Sequence, residues 1–246
     1  MPSGISKKLP VPRPPGFRHP MEDQISIWRI DLRTADGISS LAAPMHGTRS
    51  SGSNRDPFHT CRRRFALAQL RIILAASLEL SPAELGPLRE DGDRVSLPAA
   101  GSLRPGLRYC LSRSGDWAWV AVAWGRPVGL DLERLAPELG WRSLLNRVCT
   151  DAEAAGVLAR PEEARCAAFH RVWARKEALL KAAGTGLCSE QPLPTIETSV
   201  QVVRLGAGDG QRTLWLHDLP APDGYVAALA CPHPHPDLVW HDGSAS

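Results

Sequence analysis

Two short segments hold the residue types that handle divalent metals and phosphate. In Val128-Gly-Leu-Asp-Leu-Glu133 the alternation reads as a strand, so Asp131 and Glu133 project from one face while Leu130 and Leu132 enter the core. Two carboxylates on one face repel each other unless a cation lies between them, and carboxylate oxygens with room for phosphate oxygens and water suit magnesium. The second segment is Trp173-Ala-Arg-Lys-Glu-Ala-Leu-Leu-Lys181, helical by its apolar spacing, which sets Glu177 and Lys181 on one face with Lys176 one position round. Each segment also has an ordinary reading: a solvated acidic strand face among arginines, and a surface Glu-Lys pair of a few tenths of a kcal/mol. Their combination against a lysine-poor background favours chemistry. Of 29 basic residues only Lys7, Lys8, Lys176 and Lys181 are lysines. An ammonium is a compact point charge where guanidinium is a planar fork, so a site needing the first does not freely accept the second.

The elements that must position these residues follow from periodicity and punctuation. Residues 1–24 are rich in Pro and Arg and are expected to form a disordered leader. Ile25–Leu32 reads as a strand, 34–60 as a long loop dense in Ser, Gly and Pro, and Arg62–Leu80 as a helix closed by Ser81-Pro82. Leu107–Ser112 and Trp117–Trp124 read as strands, and the turn Gly125-Arg126-Pro127 predicts a hairpin to Val128–Glu133. Leu139–Val148, Asp151–Leu158 and Glu162–Ala183 are helical, the last stopped by Gly184-Thr185-Gly186. Three short strands follow, over 196–204, 213–217 and 225–231, and a tail is expected beyond His233. Strand, helix and strand pair recur in both halves, which predicts an α+β fold of two similar subdomains, 25–124 and 125–236, with 237–246 as tail.

Composition excludes several classes. No apolar run approaches the ~18 residues of a membrane span, and residues 1–20 lack a hydrophobic stretch, so neither anchor nor secretion signal is expected. The six cysteines form no C-x-x-C pair and are expected as free thiols in a cytoplasmic protein. A net charge of +3 does not argue for nucleic acid. The tryptophans of the predicted strands read as core, and His170 as a packed or capping side chain.

Val128–Glu133 followed by Trp173–Lys181 resembles the two signature motifs of the 4′-phosphopantetheinyl transferases, and the spacing is similar to the longer, surfactin-synthetase-activating branch. Leu111-Ser-Arg-Ser114 resembles that family's Ser-His-Ser turn, Thr150-Asp-Ala-Glu153 its helix-opening motif, and Arg62 with Arg71 the basic residues of its first long helix. The resemblance implies a pseudo-dimer of two α+β halves, each a small antiparallel sheet packed with a long helix. It also implies transfer of the phosphopantetheine arm of coenzyme A to a serine of an acyl- or peptidyl-carrier protein, with release of adenosine 3′,5′-bisphosphate. By that pattern Asp131, Glu133 and Glu177 hold magnesium, with manganese as the alternative, and Glu177 accepts the serine proton. Lys181 and Lys176 contact the pyrophosphate, Ser112 belongs to the coenzyme site, and Arg62 and Arg113 address the 3′-phosphate. The implied protein is a monomer in the cytoplasm that binds neither membrane nor nucleic acid. Two departures stand out: Arg113 replaces the usual His, and Gly101–Pro105 is a degenerate form of the family's Gly-Lys-Pro element. A metal-dependent nuclease or phosphodiesterase and a non-catalytic coenzyme A or carrier-protein binding module are the alternative readings.

Overall fold

The computed structural model describes residues 24–35, 57–85, 87–91, 94–96, 106–137, 140–184, 200–205 and 212–243. The expected leader up to residue 23, most of the 34–60 loop and the Gly101–Pro105 element lie outside them.

Two four-stranded sheets stack between two long helices. The first contains β1 (Gln24–Asp31), β4 (Leu107–Ser114), β5 (Trp117–Trp124) and β10 (Asp237–Asp242), in the order β10-β1-β5-β4. The second is ordered β6-β9-β8-β7 and contains β6 (Gly129–Arg134), β7 (Val200–Leu205), β8 (Arg212–Leu219) and β9 (Tyr225–Cys231). Between β1 and β4 lie helix α1 (Pro57–Ser77), a short α2 (Pro82–Leu85) and a ribbon of β2 (Arg89–Asp91) and β3 (Arg94–Ser96). Helices α3 (Trp141–Val148), α4 (Asp151–Leu158) and α5 (Glu162–Ala183) follow β6.

Strand alternation builds the layers. Ala118, Val120 and Val122 of β5, with Trp28 and Ile30 of β1, face Leu70, Ile73 and Leu74 of α1. The intervening Trp119, Ala121 and Ala123, with Ile25 and Ile27, face Leu130 and Leu132 of β6 and Leu229 and Cys231 of β9 across the inter-sheet core. On its far side the second sheet packs Val226, Ala228 and Ala230 against Ala174, Ala178 and Ala182 of α5. Alanines on both surfaces bring that helix close. A Cβ on Gly129 would lie 1.9 Å from the Ala178 carbonyl oxygen and 2.5 Å from the Ala182 nitrogen.

Most expected elements occur within a few residues, and the mixed α+β class is the one observed, with one long helix on each sheet. Two expectations fail. Val128–Glu133 is no hairpin partner of Trp117–Trp124: β5 already pairs with β1 and β4 along its two edges, and β6 pairs with β9 in the other sheet. Gly125, at φ +70°, and Pro127 carry the chain from sheet to sheet. The true hairpin is β4–β5, turned at Gly115-Asp116, and the Asp116 N–H donates to the Tyr225 hydroxyl at 3.0 Å. The second correction concerns the expected tail. Residues 237–242 form β10, parallel to β1, so the first sheet is mixed and includes the chain's C-terminal strand. Side chains hold β10: Arg29 forks onto Asp242 at 2.6 and 2.7 Å, His241 stacks on Trp28, and Trp240 meets Trp119 edge-on. Prolines at 232, 234 and 236 obscure this strand in the sequence. Among the described residues no helix is long and apolar enough to cross a membrane.

Because the β6–α5 contact leaves no room for a methyl group, Gly129→Ala should cost at least about 1–3 kcal/mol. Urea unfolding of the full chain measures this, and a wild-type midpoint would contradict the close approach.

Candidate active site

The site forms where β6, the edge strand of the second sheet, meets the face of β4, the edge strand of the first. No main-chain ladder joins them. The outward N–H groups of β6 are instead met by β4 side chains: Leu130 N–H donates to Cys110 Sγ at 3.2 Å, Leu132 N–H to Ser112 Oγ at 3.1 Å and Arg134 N–H to Ser114 Oγ at 2.9 Å. The period-2 geometry of β4 puts Cys110, Ser112 and Ser114 on one face, in step with alternate residues of β6. Buried donors that would otherwise be orphaned are thereby satisfied.

Asp131 and Glu133 sit on this junction. The Ser112 hydroxyl donates to Asp131 Oδ1 at 2.9 Å and that of Ser114 to Glu133 Oε2 at 3.0 Å. From α5, Lys181 Nζ donates to Asp131 Oδ1 at 2.6 Å and to Ser112 Oγ and the Leu130 carbonyl, both at 3.2 Å. All three ammonium protons are directed at the junction. Asp131 is 2% exposed, and its Oδ2 is buried without a hydrogen-bond partner.

Electrostatics follow from this burial. Asp131 is pushed above the ordinary carboxylate range by burial, opposed by the Lys181 charge and the hydrogen bonds from Lys181, Ser112 and the Leu132 N–H. Burial acts against the Lys181 ammonium, but the charges of Asp131 and Glu177 and the hydrogen bond to Asp131 outweigh it and raise its pKa. The 2.6 Å contact is that of an ion pair. Glu133 is pushed up to about 7, first by burial and next by the Asp131 charge, with Glu177 adding to the rise. Asp131, Glu133, Glu177 and Lys181 therefore form one electrostatic neighbourhood built from two elements far apart in sequence.

A divalent cation fits the chemistry of this donor set: hard carboxylate oxygens, mutual repulsion between them, and a buried Asp131 Oδ2 lacking a partner. The expected metal-holding trio of Asp131, Glu133 and Glu177 is not present as a ready cluster, since no three His, Cys, Asp or Glu side chains among the described residues gather in a metal-holding group. Lys181 lies against Asp131 instead.

The other expected residues divide. Lys176 is not a free cation at the site. It is 3% exposed, donates to Glu153 Oε2 at 2.6 Å and to the Val148 carbonyl at the end of α3 at 2.7 Å, and so ties α5 to α3 and α4. One residue of helical rotation from Glu177 sufficed to turn it inward. Glu153 also closes the Thr150 capping box of α4, which explains the Thr-Asp-Ala-Glu motif as a structural joint. Ser112 has its hydroxyl fully engaged by Asp131, Leu132 and Lys181, so it serves this junction and has no hydroxyl hydrogen to spare for a coenzyme. Arg62 forms a 2.8 Å ion pair with Asp116 at the β4–β5 turn. Arg113 alternates with Ser112 and Ser114 and so belongs to the opposite side of β4, the one whose Tyr109 and Leu111 pack against the α1 core. The residue missed in the sequence is Ser114 as a partner of Glu133; its place two positions after Ser112 on a strand was the available signal. His170 is a packed side chain: it donates from Nδ1 to the Cys166 carbonyl at 2.8 Å and meets Phe169 edge-on.

Comparison with known proteins identifies the family. Residues 127–230, which contain β6 and α5, match the model of the 4′-phosphopantetheinyl transferase superfamily. The chain is 31% identical over 225 residues to the 4′-phosphopantetheinyl transferase HetI of a Nostoc species, covering 89% of this chain and 92% of that protein. The chain belongs to the 4′-phosphopantetheinyl transferase superfamily. It is 26% identical over 170 residues to a 4′-phosphopantetheinyl transferase of Bacillus subtilis, covering 67% of this chain and 71% of that one. To Sfp of Bacillus subtilis strain 168 it is 27% identical over 139 residues, 53% of this chain and 57% of Sfp. As a member of this family the chain is a transferase.

Two outcomes follow for the residues placed here. Lys176→Met removes one partner of a buried ion pair and should destabilise the chain by about 3–5 kcal/mol, as seen by urea unfolding; an unchanged midpoint would show the pair to be dispensable. For Glu133, a folded pKa near 7 above the ordinary 4.5 means that the folded state holds the proton more tightly than the unfolded one. The stabilisation is complete below pH 4.5 and is lost as pH rises through about 7. With chelator present, the stability of Glu133→Gln relative to wild type should therefore rise from pH 4.5 to 8, and a flat difference would refute the shift.

Proposed function

We propose that this transferase moves the 4′-phosphopantetheine arm of coenzyme A onto the serine hydroxyl of an acyl- or peptidyl-carrier protein and releases adenosine 3′,5′-bisphosphate. The observation that carries the reading is the ion pair of buried Asp131 with partly exposed Lys181, with Glu133 beside it, all three inside the stretch that matches the family. Asp131, Glu133 and Glu177 would hold magnesium, or manganese in its place. When bound, the ion would neutralise pyrophosphate oxygens and charge developing on the leaving group.

The chain's own residues would do the remainder. Glu177 accepts the proton of the carrier serine, directly or through a water, as that oxygen bonds to the β-phosphorus. The bond from this phosphorus to the bridging oxygen breaks, and the bridging oxygen leaves on the nucleotide. Lys181, already at the acidic pair, supplies positive charge toward the pyrophosphate, while Arg62 and Arg113 address the 3′-phosphate from the α1-facing side of β4. Units 25–124 and 125–236 would form the two lobes of a monomeric cytoplasmic enzyme, with 237–242 completing the first. Lys176 is left out of the coenzyme contacts because its ammonium is committed to Glu153 and Val148.

Incubation with coenzyme A, magnesium and an apo carrier protein should add the mass of phosphopantetheine to the carrier, as read by intact mass spectrometry. No gain with any of several acyl- and peptidyl-carriers would refute the proposal, and nicking of DNA would favour a nuclease. Glu177→Gln should retain the fold and lose about 10²–10⁴-fold in kcat.

A further inference from the structure

Ser112 and Ser114 do two things at once. Each hydroxyl oxygen accepts a β6 main-chain N–H, from Leu132 at 3.1 Å and from Arg134 at 2.9 Å. A hydroxyl has one proton, and with its oxygen facing those donors the proton is directed to a carboxylate: Asp131 Oδ1 for Ser112 and Glu133 Oε2 for Ser114. Each serine thus measures its carboxylate against the backbone that carries it. We propose that Ser112 and Ser114 are positioning residues that hold one oxygen of each carboxylate and thereby choose the oxygen presented to a divalent cation, Asp131 Oδ2 and the second oxygen of Glu133. This rests on the metal-binding role proposed above. The Asp131 observation supports it directly, since Oδ1 is engaged by Ser112 and Lys181 whereas Oδ2 is buried and has no hydrogen-bond partner.

Cys110 is the built-in comparison. It stands two residues before Ser112 on the same face, accepts the Leu130 N–H at 3.2 Å, and returns its own hydrogen to the Leu130 carbonyl at 3.3 Å. A thiol can therefore hold this strand edge, while it is a weak donor toward a carboxylate. The two rungs that carry an acidic partner are serines, and the rung that carries none is a cysteine.

The test uses the full chain and Tb3+ as the probe, an oxygen-seeking ion whose luminescence reports binding without turnover. Ser112→Cys and Ser114→Cys should keep the wild-type circular dichroism, because the strand-edge bonds remain, yet bind Tb3+ about 10–100-fold more weakly. Ser112→Thr and Ser114→Thr, which restore the hydroxyl, should recover binding. In turnover with an apo carrier protein the Cys variants should lose kcat with little change in the KM for coenzyme A. Folded Cys variants that bind Tb3+ within twofold of wild type would overturn the proposal, as would Thr variants no better than Cys. Should a Cys variant fail to fold, the Ser→Ala variant at the same position, judged by the same Tb3+ criterion, decides. A wild-type chain that shows serine-dependent Tb3+ binding but modifies no carrier would refute the transferase reading alone and leave this inference standing.

Discussion

A buried and a half-buried carboxylate, Asp131 and Glu133, at the edge of a sheet are the constraint around which the rest of the structure is arranged. An ionised group taken out of water is costly unless charge and hydrogen bonds are returned to it in place. Asp131 receives them from the Lys181 ammonium, the Ser112 hydroxyl and the β6 backbone, and Glu133 receives one from Ser114. Three elements must therefore meet with sub-ångström agreement: β6 for the acids, β4 for the hydroxyls and α5 for the cation. The alanines that α5 and the second sheet bring to their contact, and the bare Cα of Gly129, are what allow this approach.

The same junction explains why the two sheets form one molecule. An edge strand normally exposes a row of unpaired N–H groups. In β6 those groups are capped by side chains of β4, so the seam between the halves is polar and directional above an apolar layer of Leu130, Leu132, Trp119 and Leu229. The apolar layer supplies most of the binding between the sheets, and the seam sets their register. Tyr225 of β9, bonded to the β4–β5 turn, ties the two sheets further, and β10 on the outer edge of β1 joins residues 237–242 to 24–29.

Much of this was legible from residue types. The alternation of β6, the long period of α5 and the scarcity of lysine marked Asp131, Glu133, Glu177 and Lys181 as a group, and the structure brings them into one electrostatic neighbourhood. Direction was less legible. Lys176 and Lys181 look equivalent in the sequence, but at 100° per residue they leave α5 on different sides, one into a buried pair with Glu153 and the other onto Asp131. Pairing was illegible where it depended on available edges: β5 follows a good turn into β6, yet both its edges were already occupied.

What the sequence by itself determined is the local pattern: where strands and helices form, which face of each is apolar, and which residues carry charge or a hydroxyl. Only the tertiary structure decided that two serines meet two carboxylates across separate sheets, that one lysine serves packing and its neighbour the site, and that the last strand returns to the first. Local pattern follows from backbone geometry and the periodicity of apolar side chains, which adjacent residues specify. Contacts between distant segments depend on which buried groups remain unsatisfied once the sheets have stacked, and that is a property of the whole packed chain.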